Sequence, residues 1–333
     1  MKTQYVVDLA EGVRVDAAFA LRAKEVREAR TGDAYLALDL ADRTGVIPAV
    51  LFRPGANALE MPVGSVVKVT GMVTSFRSVK RISIDAISPC DAWDAEDVLA
   101  SSVRPRDELV SELRELVKTV GEPSCRRVLR QVFGDKDFFA RFCSCPGSQS
   151  YHHAYLGGLL EHTIAVAQLC RGVAESYPDA DSDLLVTAAL LHDIGKVDEL
   201  SSSVTIEYTD AGRLLGHVVL GITRIRSAVE RCPGVDVDVA VRLQHAVLSH
   251  HGELEWGSPK KPSTLEALLL HHADNLDAKA AGFTSLLSGA GAADERWTDA
   301  TNLFRRPLYA PRAAEDDRPA RAEEDAQYHR LTA

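Results

Sequence analysis

The chain lacks the features that mark membrane and secreted proteins. No run of about 18 apolar residues occurs in its 333, and a spanning helix needs one. No apolar stretch follows Lys2 in MKTQYVVDLAEG, so the sequence predicts no secretory leader. Cysteines number only six, at 90, 125, 143, 145, 170 and 232, too few and too uneven for a disulfide scaffold. Reduced thiols in a cytoplasmic protein are the expectation. Cys143-Ser144-Cys145 offers half a zinc site, but no second Cys/His pair at finger spacing accompanies it. Positive charge is also short, with 38 Lys and Arg against 48 Asp and Glu and a formal net charge of −10. A nucleic-acid partner would therefore have to be met by local basic patches.

What remains is an ordinary globular composition, 46% hydrophobic and 26% charged. The length suffices for two domains, each with its own core. Residues 1–90 hold 12 Lys/Arg and 10 Asp/Glu, whereas 91–333 hold 26 and 38, so the excess acid lies in the second part. The hydrophobic period changes at the same place. Leu36, Leu38 and Leu40 alternate with Tyr35, Ala37 and Asp39, and Asp42-Arg43-Thr44-Gly45 is a turn. Extended runs follow at 46–52, 66–73 and 82–87, and short strands joined by tight turns over about 90 residues predict a small barrel. Residues 91–105 read as a linker. From Arg106 onward the period is helical, over 109–120, 126–133, 156–174, 184–192, 214–229, 237–248 and 265–287, with 205–212 as a hairpin or loop. Residues 311–333, acidic and poor in apolar residues, read as a disordered tail. The expected class is multidomain: a small N-terminal β-barrel over 1–90, then an all-α domain over 106–310.

The most informative stretch is His192-Asp193-Ile194-Gly195-Lys196. It closes an apolar helical run, and Gly195 suits a left-handed cap just past the helix end. Imidazole nitrogen and carboxylate oxygen are ligands for borderline to hard divalent metals. The other histidines strengthen this reading. Ten of the 11 lie between 152 and 272, in Tyr151-His152-His153, Glu161-His162-Thr163, Gly216-His217, His245, Ser249-His250-His251-Gly252 and His271-His272-Ala273-Asp274 besides His192. Several mark the ends of helical runs, and helix ends from distant sequence can converge on one metal centre.

In this order the segments Gly157–Thr163, Leu190–Lys196, Leu214–His217, Ser249–Gly252 and Leu270–Asp274 resemble the HD superfamily of metal-dependent phosphohydrolases, in the two-metal variant H…HD…H…HH…D. Glu207–His217 and Trp256-Gly257-Ser258-Pro259 are similar to segments of the YhaM-type 3′–5′ exoribonucleases, which join an OB-fold to an HD domain. The resemblance implies that His162, His192, Asp193 and Asp274 hold one metal, and that Asp193 bridges to a second held by His217, His250 and His251. Asp277 is the rival for Asp274, three residues away on one helix face; Asp274 is preferred. His271 and His272 are expected to support the site or lie at the surface. His152 and His153 either contact substrate phosphate or fix their loop, and Arg213 is a further candidate contact. Family members with a third metal carry a carboxylate four residues before the first histidine; that position is Gly158 here, so no third metal is expected.

This ligand set implies its chemistry. Water shared by two divalent cations becomes hydroxide near neutral pH, and the same cations offset charge on the phosphoryl group. Asp193 is then the central catalytic group, and Lys196 is placed to neutralise the phosphoryl charge, unless it is a solvated helix-end lysine. Nitrogen and oxygen ligands without sulfur favour Mn²⁺ or Fe²⁺, and Zn²⁺, Co²⁺ and Ni²⁺ also suit the set. In the barrel, Lys68, Arg77, Lys80 and Arg81 form a basic cluster, with Phe76 beside it and Tyr35 and Phe52 on earlier strands. Such a face grips single strands by charge and stacking, although Phe52 reads equally as core. The leading expectation is a 3′–5′ exonuclease of single-stranded RNA, with single-stranded DNA as an alternative substrate and homo-oligomerisation left open. The runner-up is a hydrolase of small nucleotides or cyclic dinucleotides, because His250–Glu253 and Gly257-Ser258-Pro259 resemble the HD-GYP phosphodiesterases; Ser258 replaces their tyrosine. A decayed binding module is disfavoured by the intact ligand set.

Overall fold

The computed structural model describes residues 2–28, 32–76, 79–102, 104–149, 153–202, 205–290 and 296–311. Arg77, His152 and the tail from 312 onward lie outside them.

Five strands form a closed barrel: β1 (Arg14–Glu28), β2 (Ala34–Asp42), β3 (Gly45–Phe52), β4 (Val66–Phe76) and β5 (Val79–Pro89), in the order β1-β2-β3-β5-β4. Neighbours are antiparallel except β3 and β5, which run parallel. That closed five-stranded arrangement is the OB-type barrel. It closes because β1 is long enough to serve two partners. Arg14–Ala20 pair with β4 and Ala20–Glu28 with β2, and a register shift at Leu21/Ala23 turns the strand between them. Val15, Phe19 and Leu21 from β1 point inward with Leu36, Leu38 and Leu40 from β2, following the period-two alternation. The short helix α1 (Ala56–Glu60) adds Ala58 to this core.

The strand missing from the sequence reading is β1. Its alanines and charges obscured an alternation of Val15, Ala17, Phe19 and Leu21 that is legible in hindsight.

After α2 (Ala95–Val98) the chain is mainly helical: α3 (Arg106–Thr119), α4 (Pro123–Phe133), α5 (Lys136–Ser144), α6 (Gly158–Ser176), α7 (Ser182–Leu191), α8 (Lys196–Glu199), the hairpin β6 (Leu200–Ser202) and β7 (Ile206–Tyr208), α9 (Asp210–Glu230), α10 (Val237–Leu248) and α11 (Leu265–Ala290). Every residue of α7 from Leu184 to Leu191 is buried, so this helix is the centre of the bundle. Asp181 caps it by accepting from Leu184 N at 3.1 Å. The sequence reading missed α5, whose Phe138 and Phe142 enter the same core. Cys143 and Cys145 are buried there as free thiols.

The chain comprises two compact units, residues 1–277 and 278–333, and the division falls within α11. In the second unit Phe283 meets Phe304 edge-on at 5.3 Å, and Trp297 meets Tyr309. No helix among the described residues is long and apolar enough to cross a membrane.

Phe142 is fully buried beside Phe133 and Phe138. Phe142→Ala should therefore cost about 3–5 kcal/mol, read as a lower midpoint in urea unfolding monitored by circular dichroism.

Candidate metal centre

Segments from α6, α7, α9, α10 and α11 converge at the C-terminal end of α7. His162 comes from the second turn of α6. His192 and Asp193 follow the last residue of α7, and Lys196 opens α8. His217 follows a break in α9 at Gly216, where φ is 74° and ψ is 157°. His250 and His251 lie in the turn after α10, and Asp274 projects from α11.

Gly195 is not the left-handed cap that the sequence suggests. Its φ is −67° and its ψ −19°, both right-handed. Its reason is close approach: a Cβ there would lie 1.9 Å from the carbonyl oxygen of His217. The missing side chain lets α8 and α9 touch, bringing His217 to Asp193.

The ligand atoms sort into two groups around Asp193. Its Oδ2 lies 3.4 Å from His162 Nε2 and 3.3 Å from His192 Nε2. Asp274 Oδ1 joins that group, 3.2 Å from His162 Nε2. The other oxygen, Oδ1, lies 3.4 Å from His217 Nε2 and 3.6 Å from His250 Nε2. His251 Nε2 sits 3.2 Å from His217 Nε2. His162, His192, Asp193 and His250 are all buried.

All five rings have an oxygen at Nδ1, Asp277 Oδ2 lying 2.7 Å from that of His162. His192 donates to Ala189 O at 2.7 Å, His250 to Val247 O at 2.6 Å and His251 to Trp256 O at 3.0 Å. His217 faces Glu199 Oε1 at 3.1 Å. A proton on Nδ1 leaves the lone pair on Nε2, directed into the cluster. Yet Nε2 atoms face each other at 3.1 Å between His162 and His192, and at 3.2 Å between His217 and His251. Asp193 Oδ1 is buried without a hydrogen-bond donor. Opposed lone pairs and an orphaned carboxylate oxygen fit shared cations, so the residues present suit a divalent metal at each group.

The electrostatics agree. Burial alone would raise the carboxyls of Asp193, Asp274 and Asp277. Lys196 and His192 outweigh it at Asp193, the neighbouring His162 and His192 rings at Asp274, and the hydrogen bonds from His153 and His162 at Asp277. All three stay ionised, below the ordinary carboxylate range. Burial, reinforced by neighbouring rings, lowers His250 and His251, which keeps them neutral.

Lys196 is buried, its Nζ 2.6 Å from Asp193 Oδ2, so it is no solvated helix-end lysine. Asp274 faces the cluster, whereas Asp277 Oδ2 lies behind His162, 2.7 Å from Nδ1. His153 meets Asp277 and Tyr155. His271 supports His250 through its carbonyl at 2.8 Å, and His272 is exposed. Arg213 lies on the exposed first turn of α9, its guanidinium 5.9 Å from the Tyr208 ring. Three trios have ligand atoms within 4.8 Å of one another: His217/His250/His251, His162/His192/Asp193 and His153/His162/Asp277.

On the barrel, a groove of about 1180 Å³ is lined by Tyr35, Phe52, Phe76 and Arg81, with Lys24 and Arg27 from β1. Phe52 and Phe76 are 53% and 51% exposed, so Phe52 is not core. Tyr35 and Phe52 lie 5.6 Å apart, and the Arg81 guanidinium is 4.5 Å from the Phe76 ring. Lys80 does not line this groove, and its Nζ donates to Leu9 O at 3.2 Å. Along β5 it alternates with Val79 and Arg81, which puts it on the other face.

A family model described as HD domain matches residues 159–279, which include every proposed ligand. The 3′-5′ exoribonuclease YhaM of Bacillus velezensis is 34% identical over 273 residues, covering 80% of this chain and 86% of that one. The chain belongs to the YhaM 3′-5′ exoribonuclease family. YhaM of Bacillus subtilis is likewise 34% identical, over 272 residues that cover 80% of this chain and 86% of that one. Among solved structures, the second OB-fold domain of replication protein A from Methanococcus maripaludis is 23% identical with a TM-score of 0.23, covering 27% of this chain and 97% of that one. The class of the barrel in this YhaM-family chain rests on its strand order.

Sequence reasoning missed Glu199, which is 7% exposed and receives both the backbone N and the Nδ1 of His217. Its signal was position: it ends the single turn that Lys196 begins.

Asp193→Ala removes the one side chain that faces both groups. It should cut the divalent-metal content of the purified chain, as read by elemental analysis, and metal content at the wild-type level would contradict a ligand role for Asp193.

Proposed function

We propose that the chain hydrolyses the phosphodiester bonds of single-stranded RNA from the 3′ end, using two divalent cations held at the Asp193 centre. The observation that carries this is Asp193 itself, which presents one oxygen to His162 and His192 and the other to His217 and His250. Directionality and the RNA substrate come from the YhaM relatives, whose names state both. When bound, two such cations acidify a water and offset charge on the phosphoryl group. The chain's own residues do the rest. His162, His192 and Asp274 would fix the first ion and His217, His250 and His251 the second, while Asp193 sets their separation. Lys196 holds the bridging carboxylate in place through its 2.6 Å contact and adds positive charge beside the reacting phosphate. Seven nitrogen and oxygen ligands without sulfur suit Mn²⁺ or Fe²⁺. Six free cysteines fit a reducing, cytoplasmic setting.

The barrel is the strand-holding part in this proposal. Phe52 and Phe76 offer exposed rings for sequence-tolerant stacking, with the half-buried Tyr35 beside Phe52, and Arg81 offers charge for a phosphate. Residues 1–90 would capture the strand, and residues 106–310 would cut it.

End-labelled RNA, end-labelled DNA and a cyclic dinucleotide, each incubated with Mn²⁺, test the substrate. Release of nucleoside monophosphates from RNA supports the proposal; cleavage of the cyclic dinucleotide alone replaces it with a small-nucleotide hydrolase. Asp193→Ala should abolish hydrolysis yet retain RNA in a filter-binding assay.

Phe52→Ala should weaken RNA binding by about 1–3 kcal/mol, the usual worth of one stacked base. Arg81→Ala should lower the salt dependence of binding by about one phosphate contact. Fluorescence anisotropy at several salt concentrations reads both.

A further inference from the structure

Three ligand rings, His192, His250 and His251, are aimed by backbone carbonyls, which no substitution removes. His162 is aimed by a side chain, and that side chain is itself held. Asp277 Oδ2 lies 2.7 Å from His162 Nδ1 and 3.0 Å from His153 Nε2. His153 Nδ1 lies 2.8 Å from Tyr155 Oη, and the Tyr155 hydroxyl donates to Glu161 Oε2 at 2.9 Å.

The protons along this row can be counted. An ionised carboxylate only accepts, and a phenol has one proton to give. Tyr155 gives its proton to Glu161, and the nitrogens that face the ionised Asp277, His153 Nε2 and His162 Nδ1, are the donors. Asp277 then accepts twice on one oxygen, from His153 and from His162 Nδ1. This leaves the His162 lone pair on Nε2, the nitrogen that faces His192, Asp274 and Asp193.

The backbone is shaped to hold this row. His153 has a φ of 52°, a left-handed conformation that is unusual for a residue with a side chain. Its carbonyl accepts from Gly147 N at 2.9 Å and Tyr155 N at 2.8 Å. A Cβ on Gly158 would lie 2.0 Å from that same oxygen. The position that would bear a third-metal carboxylate is thus filled by the turn that carries His153.

We propose that Asp277 is a positioning residue for the first metal, fixing the tautomer and aim of His162, and that His153, steadied by Tyr155 and Glu161, fixes Asp277 in turn. This rests on the two-metal reading and deepens it. His153 is thereby assigned to the support of a ligand and not to contact with substrate phosphate. Glu199 holds His217 in the same manner at the second group, so each group has its own carboxylate support.

Calorimetric titration of the full chain with Mn²⁺ tests this, with the melting temperature of the metal-depleted protein followed in parallel. Asp277→Asn keeps the shape and removes the anionic acceptor. It should weaken one site by roughly 10–100-fold and leave the other unchanged. His153→Gln should weaken the same site by less, and Asp277→Glu should restore part of the loss. If Asp277→Asn does not fold, His153→Gln decides. Two ions bound as tightly by both variants as by wild type would overturn the inference alone. So would equal weakening of both sites, or loss in His153→Gln of a further ion beyond the first two, which would make His153 a ligand. Wild-type protein that binds no Mn²⁺ would overturn the two-metal reading as well.

Discussion

The helical domain depends on one buried carboxylate. Asp193 is 3% exposed, at the end of a helix buried on every side. A charge in that position is costly unless it is met by opposite charge and hydrogen bonds. Lys196 meets one oxygen directly, and four imidazole nitrogens ring the pair. Those four nitrogens come from four separate segments: α6, the end of α7, the break in α9 and the turn after α10. The apolar helix α7 carries Asp193 into the core, and the surrounding helices bring it partners.

In the proposed function the barrel and the helical domain would divide a task that neither charge distribution suits alone. The helical part is strongly acidic, which helps to hold cations and opposes a polyanion. The barrel is nearly neutral and exposes a groove with three aromatic rings and an arginine. Stacking needs no net charge, so the groove can hold a strand whose phosphates the rest of the surface repels. Closure of the barrel through the long strand β1 also places Lys24 and Arg27 along this groove, two cations that the β5 cluster alone did not suggest.

Much of this was legible in the sequence. The ordered histidines and the His-Asp pair picked out residues that the fold brings together around Asp193. Asp274 and Asp277 were not separable by spacing, since three residues on a helix share a face; only the two nitrogens of one ring distinguish them. Gly195 was correctly singled out and wrongly explained, because close contact with His217 is a tertiary fact that local dihedral preference does not contain. Lys80 and Arg81 looked alike as a cluster, but in a strand adjacent residues face opposite ways. Glu199, Tyr155 and Glu161 act through other side chains, and nothing in their local sequence announces such a role.

The break in α9 has a geometric consequence. On an unbroken helix, residues three apart point the same way. Leu214 is 82% exposed, and an intact α9 would swing the imidazole three places later outward with it. One left-handed peptide at Gly216 reverses that orientation between a greasy outer turn and an inward-looking donor. The place of His217 beside Asp193 thus hinges on a single backbone torsion that almost any bulkier residue would resist.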